Sequence, residues 1–84
     1  MDKARLSGRQ IAAARTLVGM TQPELAGQAN ISVPTLKRME ASTGPAPGMA
    51  NNLAAIRSAL EAAGVEFIPE NGGGAGVRLR KANA

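Results

Sequence analysis

The chain of 84 residues has no cysteine, no histidine, no tryptophan and no tyrosine, and Phe67 is its single aromatic residue. Without cysteine there is neither a disulfide nor a thiolate metal site, which suits a cytoplasmic protein. Without histidine the chain lacks the commonest general base and the commonest metal ligand. Six acidic residues remain, with no clustered carboxylates and no nucleophile motif, so the sequence points away from an enzyme and implies no cofactor and no metal. A long hydrophobic run is also missing. Arg15 interrupts the apolar part of the N-terminus, giving no convincing signal peptide, and no segment approaches membrane-spanning length. The expected location is the cytoplasm, with no membrane partner.

What is present is a small, basic, alanine-rich chain. Ten Lys and Arg against six Asp and Glu leave a formal charge of +4, which favours an anionic partner such as nucleic acid. With one aromatic, the core must come from Leu, Ile, Val and Met, and Ala lets helices approach closely. A single domain of this length gains stability by self-association, so a homodimer is expected.

Residues 1–6 read as a loose polar lead. Ser7 can cap a helix over about 8–19, with Ile11, Ala14 and Val18 on one face and Gly19 at its end. Thr21 caps a second helix. Glu24, three residues on, completes a capping box, and Pro23 sits in the first turn where no hydrogen bond is lost. Leu25, Ala26 and Ala29 form its inner face. Asn30 is suited to a left-handed exit, and Ser32 caps a third helix with Pro34 in its first turn and Leu36 and Met39 inward. STGPAPG over 42–48 is a rigid loop. A fourth helix over about 49–63 follows, with Met49, Leu53, Ile56, Leu60 and Ala63 at steps of four and three and Gly64 ending the run. VEFIP (65–69) and GVRLR (76–80) then alternate with period two around NGGGAG, a hairpin signature, and KANA is expected to fray. NGGGAG lacks the Lys-Ser/Thr of a P-loop and precedes a strand, so a flexible turn explains its glycines better than a phosphate site.

The expected fold is mainly α: a four-helix bundle over residues 1–64 with a C-terminal β-hairpin over 65–84. Helices two and three are the centre of interest. A short helix, a turn of three or four residues with Ile31 plugging the angle, and a second helix at a steep angle make a helix-turn-helix, whose second helix in its DNA-binding form lies in the major groove. TQPELAGQANISVPTLKRME (21–40) resembles the core of the phage-repressor/Cro-like (XRE) helix-turn-helix family of transcriptional regulators. The resemblance runs from about Ser7 to Leu60. Thr21, Gln22, Glu24, Leu25 and Ala26 are its most specific part, followed by Ile31, Ser32, Leu36 and Glu40. The chain departs from the family at Asn30, usually Gly, and at Pro34, in many members a polar base-reading position.

The resemblance implies that Gln22 contacts a phosphate and that Ser32, Val33, Pro34, Thr35, Lys37 and Arg38 form the exposed face of the recognition helix. It also implies a salt bridge between Arg15 and Glu40, in keeping with the need of an Arg on an apolar segment for a partner. Arg38 is the candidate base reader, against a phosphate contact or a solvated Arg. Lys37 suits a phosphate. Val33 serves either a thymine methyl or the inter-helix contact, Thr35 either phosphate or base, and Pro34 only shape. Arg5 and Arg9, and likewise Arg78, Arg80 and Lys81, either add backbone contacts or form solvated faces. Two isolated strands are marginal alone, so the hairpin is expected to form the homodimer through Val65, Phe67, Val77 and Leu79, the other outcome being a hairpin folded back on its own bundle. The functional expectation is a sequence-specific double-stranded-DNA-binding regulator acting as a homodimer. The alternative is an adaptor, an antitoxin or anti-activator, that grips a protein partner through the hairpin.

Overall fold

A computed structural model describes residues 6–42 and 50–80, which form four helices and a two-stranded antiparallel sheet: α1 (Gly8–Leu17), α2 (Gln22–Ala29), α3 (Val33–Glu40), α4 (Ala50–Ala62), β1 (Val65–Ile68) and β2 (Gly76–Leu79). Met49, the 43–48 part of the Pro/Gly loop, Arg5 and the KANA end lie outside the described residues.

Each of the first three helix starts is written into its cap. At α1, Ser7 Oγ accepts the Gln10 amide (3.1 Å) and Gln10 Oε1 accepts the Ser7 amide (3.0 Å), a reciprocal capping box. Thr21 and Glu24 repeat the device at α2, and Ser32 Oγ accepts the Thr35 amide at α3. Helix ends are matched too. After α1 the Gly19 amide returns to Thr16 C=O and the Met20 amide to Arg15 C=O, with Gly19 at φ +74°. After α2 the Asn30 amide returns to Gly27 C=O and the Ile31 amide to Ala26 C=O, with Asn30 at φ 58°. Both are Schellman closures, the second with Asn doing what Gly usually does. Helix α1 stops at Leu17, short of the expected 19, because this closure begins at Val18.

The core is made of Ile11 and Ala14 from α1, Leu25, Ala26 and Ala29 from α2, Leu36 and Met39 from α3, Ile56 and Leu60 from α4, and Val65 and Phe67 from β1. Leu6 is buried with them, so the lead expected to be loose is anchored at its last residue. Ala63, expected on the inner face of the last helix, lies exposed just beyond its end. α2 packs on α3 and α4, α1 on α3, α4 and β2, and β1 on α4.

The hairpin therefore lies against its own bundle. Val65 pairs with Leu79 and Phe67 with Val77 in register, and these four residues share the face turned toward the helices. Val65 and Phe67 are buried, Val77 is half-buried, and Leu79 at 53% exposure overhangs the packed region. Arg57 of α4 sits 5.4 Å from the Phe67 ring centroid while its Nε pairs with Glu61 at 3.0 Å. The Gln10 side chain, buried at 8% exposure, donates from Nε2 to the carbonyls of Gly76 (3.1 Å) and Ile68 (3.4 Å). One amide thus fastens both strands to α1. No buried side-chain nitrogen or oxygen among the described residues lacks a partner.

Candidate nucleic-acid interface

α2 and α3 meet through the Asn30 turn, and half-buried Ile31 packs against the core at their junction. The side chains expected on the outer face of α3 divide into three kinds. Ser32, Pro34, Lys37 and Arg38 are exposed. Thr35 is half-buried, and its hydroxyl receives a 2.8 Å hydrogen bond from Ser32 Oγ. Val33 is half-buried and packed against the core, with part of its side chain still exposed. Lys37 and Arg38 have no carboxylate within ion-pair distance among the described residues. They are adjacent, cationic and unneutralised on a helix whose Leu36 and Met39 are buried on the other side.

Behind that face lies a polar junction of three helices. Arg15 Nε donates to Glu40 Oε2 at 2.8 Å and Arg15 Nη2 to Glu40 Oε1 at 3.0 Å, a two-pronged pair between α1 and α3. Arg15 Nη1 donates to Met20 C=O at 3.0 Å, just before the Thr21 cap, and so fixes where α2 starts. The hydrogen bond to Glu40 holds the Arg15 guanidinium above its ordinary value, overcoming the opposing effect of burial. The Glu40 side chain is only 6% exposed, and its charge is tolerated there because Arg15 balances it.

Gln22, the first residue of α2, is half-buried, and its Nε2 donates to Glu40 Oε1 at 3.0 Å. The family resemblance implies an outside phosphate contact for Gln22 and gives no sign of this inner bond. No local spacing encodes a link across 18 positions. The role of Gln10 is equally hidden, although Ser7-Gly8-Arg9-Gln10 carries a legible capping-box spacing.

The other cations are placed differently. Arg78 pairs with Glu66 directly across the hairpin at 2.9 Å, and that hydrogen bond lowers the Glu66 carboxyl below its usual range and raises Arg78. Arg80 Nη2 donates to Glu61 C=O at 2.9 Å. Arg9 is exposed beside a shallow groove between α1 and β2. Lys81 lies outside the described residues. In the glycine turn, Gly72 and Gly74 adopt positive φ and Glu70 accepts the Gly74 amide. A carboxylate occupying that amide leaves the turn poorly suited to phosphate.

No group of three or more His, Cys, Asp or Glu side chains among the described residues could hold a metal ion, and no described helix is long and apolar enough to cross a membrane. No protein-family model and no curated protein matches this chain.

Proposed function

We propose that this chain is a sequence-specific, double-stranded-DNA-binding transcriptional regulator that works from the cytoplasm as a homodimer, with α3 as its recognition helix. The observation that carries the reading is the pair Lys37 and Arg38, exposed and unneutralised on a helix whose opposite side is fixed by the Arg15–Glu40 bridge. Arg38 reads a guanine edge as a two-pronged donor, and Lys37 and Gln22 hold phosphates. With Val33 apolar and half-buried and Pro34 lacking a donor, direct readout is sparse and much of the affinity is electrostatic. In the dimer, two copies of α3 enter successive major grooves about 34 Å apart.

A second reading, a protein-binding adaptor, draws on one observation: Leu79 is exposed at the end of β2, where an added strand or partner surface could cover it.

Selection of bound duplexes from a random pool, followed by salt titration, separates the two. The DNA reading expects enrichment of a near-palindromic site. Arg38→Ala should lower affinity for that site by about 5- to 150-fold and relax preference at one position. Lys37→Ala should weaken all duplexes alike and reduce the salt slope by about 0.9. A pool that stays random at every salt concentration rejects sequence-specific binding and leaves the adaptor as the better account.

A further inference from the structure

We infer that Glu40 is a positioning residue for DNA contact, orienting Gln22 as well as bridging to Arg15; this rests on the DNA-binding reading above. A glutamine amide has one end that donates and one that accepts, and the two can exchange by rotation. An ionised carboxylate only accepts, so the 3.0 Å contact to Glu40 Oε1 can be made only by Nε2. The bond thereby selects one of the two amide orientations. The second Nε2 hydrogen has no partner among the described residues and is available to an outside acceptor.

The main chain at the same residue adds a second donor. Around the start of α2, the Thr21 amide is held by Glu24, the Glu24 amide by Thr21 Oγ1, and the Leu25 amide by Thr21 C=O, while Pro23 has none. Gln22 is left with the one unengaged amide hydrogen of that turn. Side chain and main chain of one residue thus offer two hydrogens at a helix N-terminus, which is the chemistry that receives a phosphate oxygen. Glu40 holds the first of them in place before any ligand arrives, removing the rotamer freedom that an untethered Gln would lose on binding. Its negative charge does not oppose the phosphate, because Arg15 is bound to both of its oxygens.

A role in holding the fold alone and a role in positioning Gln22 make different predictions for paired substitutions. Glu40→Asp keeps the charge opposite Arg15 and withdraws the carboxylate by one methylene. Gln22→Ala removes the group being oriented. The probe is a 30-base-pair duplex of random sequence, with affinity measured against salt for the full chain, the two single variants and the double variant. Each single variant should bind several-fold more weakly with the salt slope unchanged, since glutamine is neutral and releases no counterion. The double variant should be no weaker than Gln22→Ala. In the free protein, the Gln22 side-chain amide resonances should move on Glu40→Asp, a change that requires no DNA. Additive losses in the double variant, or Gln22 amide resonances that stay in place, overturn the positioning role. A wild-type chain that binds no duplex at any salt overturns the DNA reading and this inference with it, and the resonance measurement tells that failure from a loss of positioning alone.

Discussion

A single methyl group added at Gly8 would overlap the Met39 carbonyl oxygen and stand 2.6 Å from that of Ser42. Both oxygens are main-chain atoms at the end of α3, so neither can swing aside as a side chain could. Gly8→Ala should therefore destabilise the protein by about 1–3 kcal/mol, the usual range for overpacking. Gly27 provides the control. It is exposed on α2, and a methyl group there would meet nothing within 4 Å, so Gly27→Ala should stabilise by about 0.5–1 kcal/mol through the lower entropy of the unfolded chain. Urea unfolding of the two variants should move the midpoint in opposite directions. Equal shifts would show that α1 and α3 can separate more easily than their contact implies. The two glycines look alike in the sequence. Asn30, by contrast, is legible, because a left-handed exit limits the residue type at one position, whereas the crowding at Gly8 depends on where a helix some 30 residues away comes to rest.

At the level of elements, the hairpin is the least self-sufficient part of the fold. Two four-residue strands have little independent stability, and the Gln10 amide supplies their polar attachment to α1 while Val65 and Phe67 supply the apolar one. Gln10→Leu keeps the volume close but removes both ends of the amide, leaving the carbonyls of Ile68 and Gly76 and the capping-box amide of Ser7 without these bonds. The expected cost is about 1–3 kcal/mol. Amide hydrogen exchange should accelerate in β1 and β2 while α2 and α3 keep their protection. Uniform acceleration across the chain would show instead that the hairpin and bundle open as one unit. Period-two alternation locates both strands to within a residue, helical spacing locates α4 nearly as well, and the Thr21 and Ser32 caps mark where α2 and α3 begin. The surface on which the hairpin rests is not legible. Its partner Gln10 is 58 residues from Ile68 and 66 from Gly76, and a buried glutamine carries no apolar signal.

At the scale of the molecule, the described cations differ in whether a carboxylate answers them. Among the described residues, Arg15, Arg57 and Arg78 are each matched to a glutamate, whereas Arg9, Lys37, Arg38 and Arg80 have no carboxylate within ion-pair distance, and of these Lys37 and Arg38 are the adjacent pair. Leu79, 53% exposed, and Leu17, 43% exposed, are the large apolar side chains left open to solvent among the described residues. Since Val65 and Phe67 are occupied within the protomer, the proposed dimer is left with Leu79 and half-buried Val77 from the hairpin. Sedimentation equilibrium should give twice the chain mass, and Leu79→Glu should give the single-chain mass with an unchanged far-ultraviolet spectrum. A wild-type chain that stays monomeric at tens of micromolar would remove the homodimer from the proposal. The salt-bridge junction of α1, α2 and α3 is legible only in part. The resemblance to a known helix-turn-helix family, running from about Ser7 to Leu60, implies the pairing of Arg15 with Glu40, but the third member, Gln22, becomes visible only when the helices are in place.

The attachment through Gln10 also bears on how the chain is gathered and how it comes apart. The turn between α2 and α3 closes through neighbours a few residues apart, and the Arg15–Glu40 pair spans 25 positions. The link from Gln10 to Gly76 must gather 66 positions, and the entropy of closing a loop rises with its length. With two four-residue strands and one polar tie to α1, the hairpin belongs to the low-stability end of the fold, where partial opening begins. A stretching force applied at the two ends should therefore pull the hairpin free at an early step, while the helix-turn-helix survives as the resisting unit.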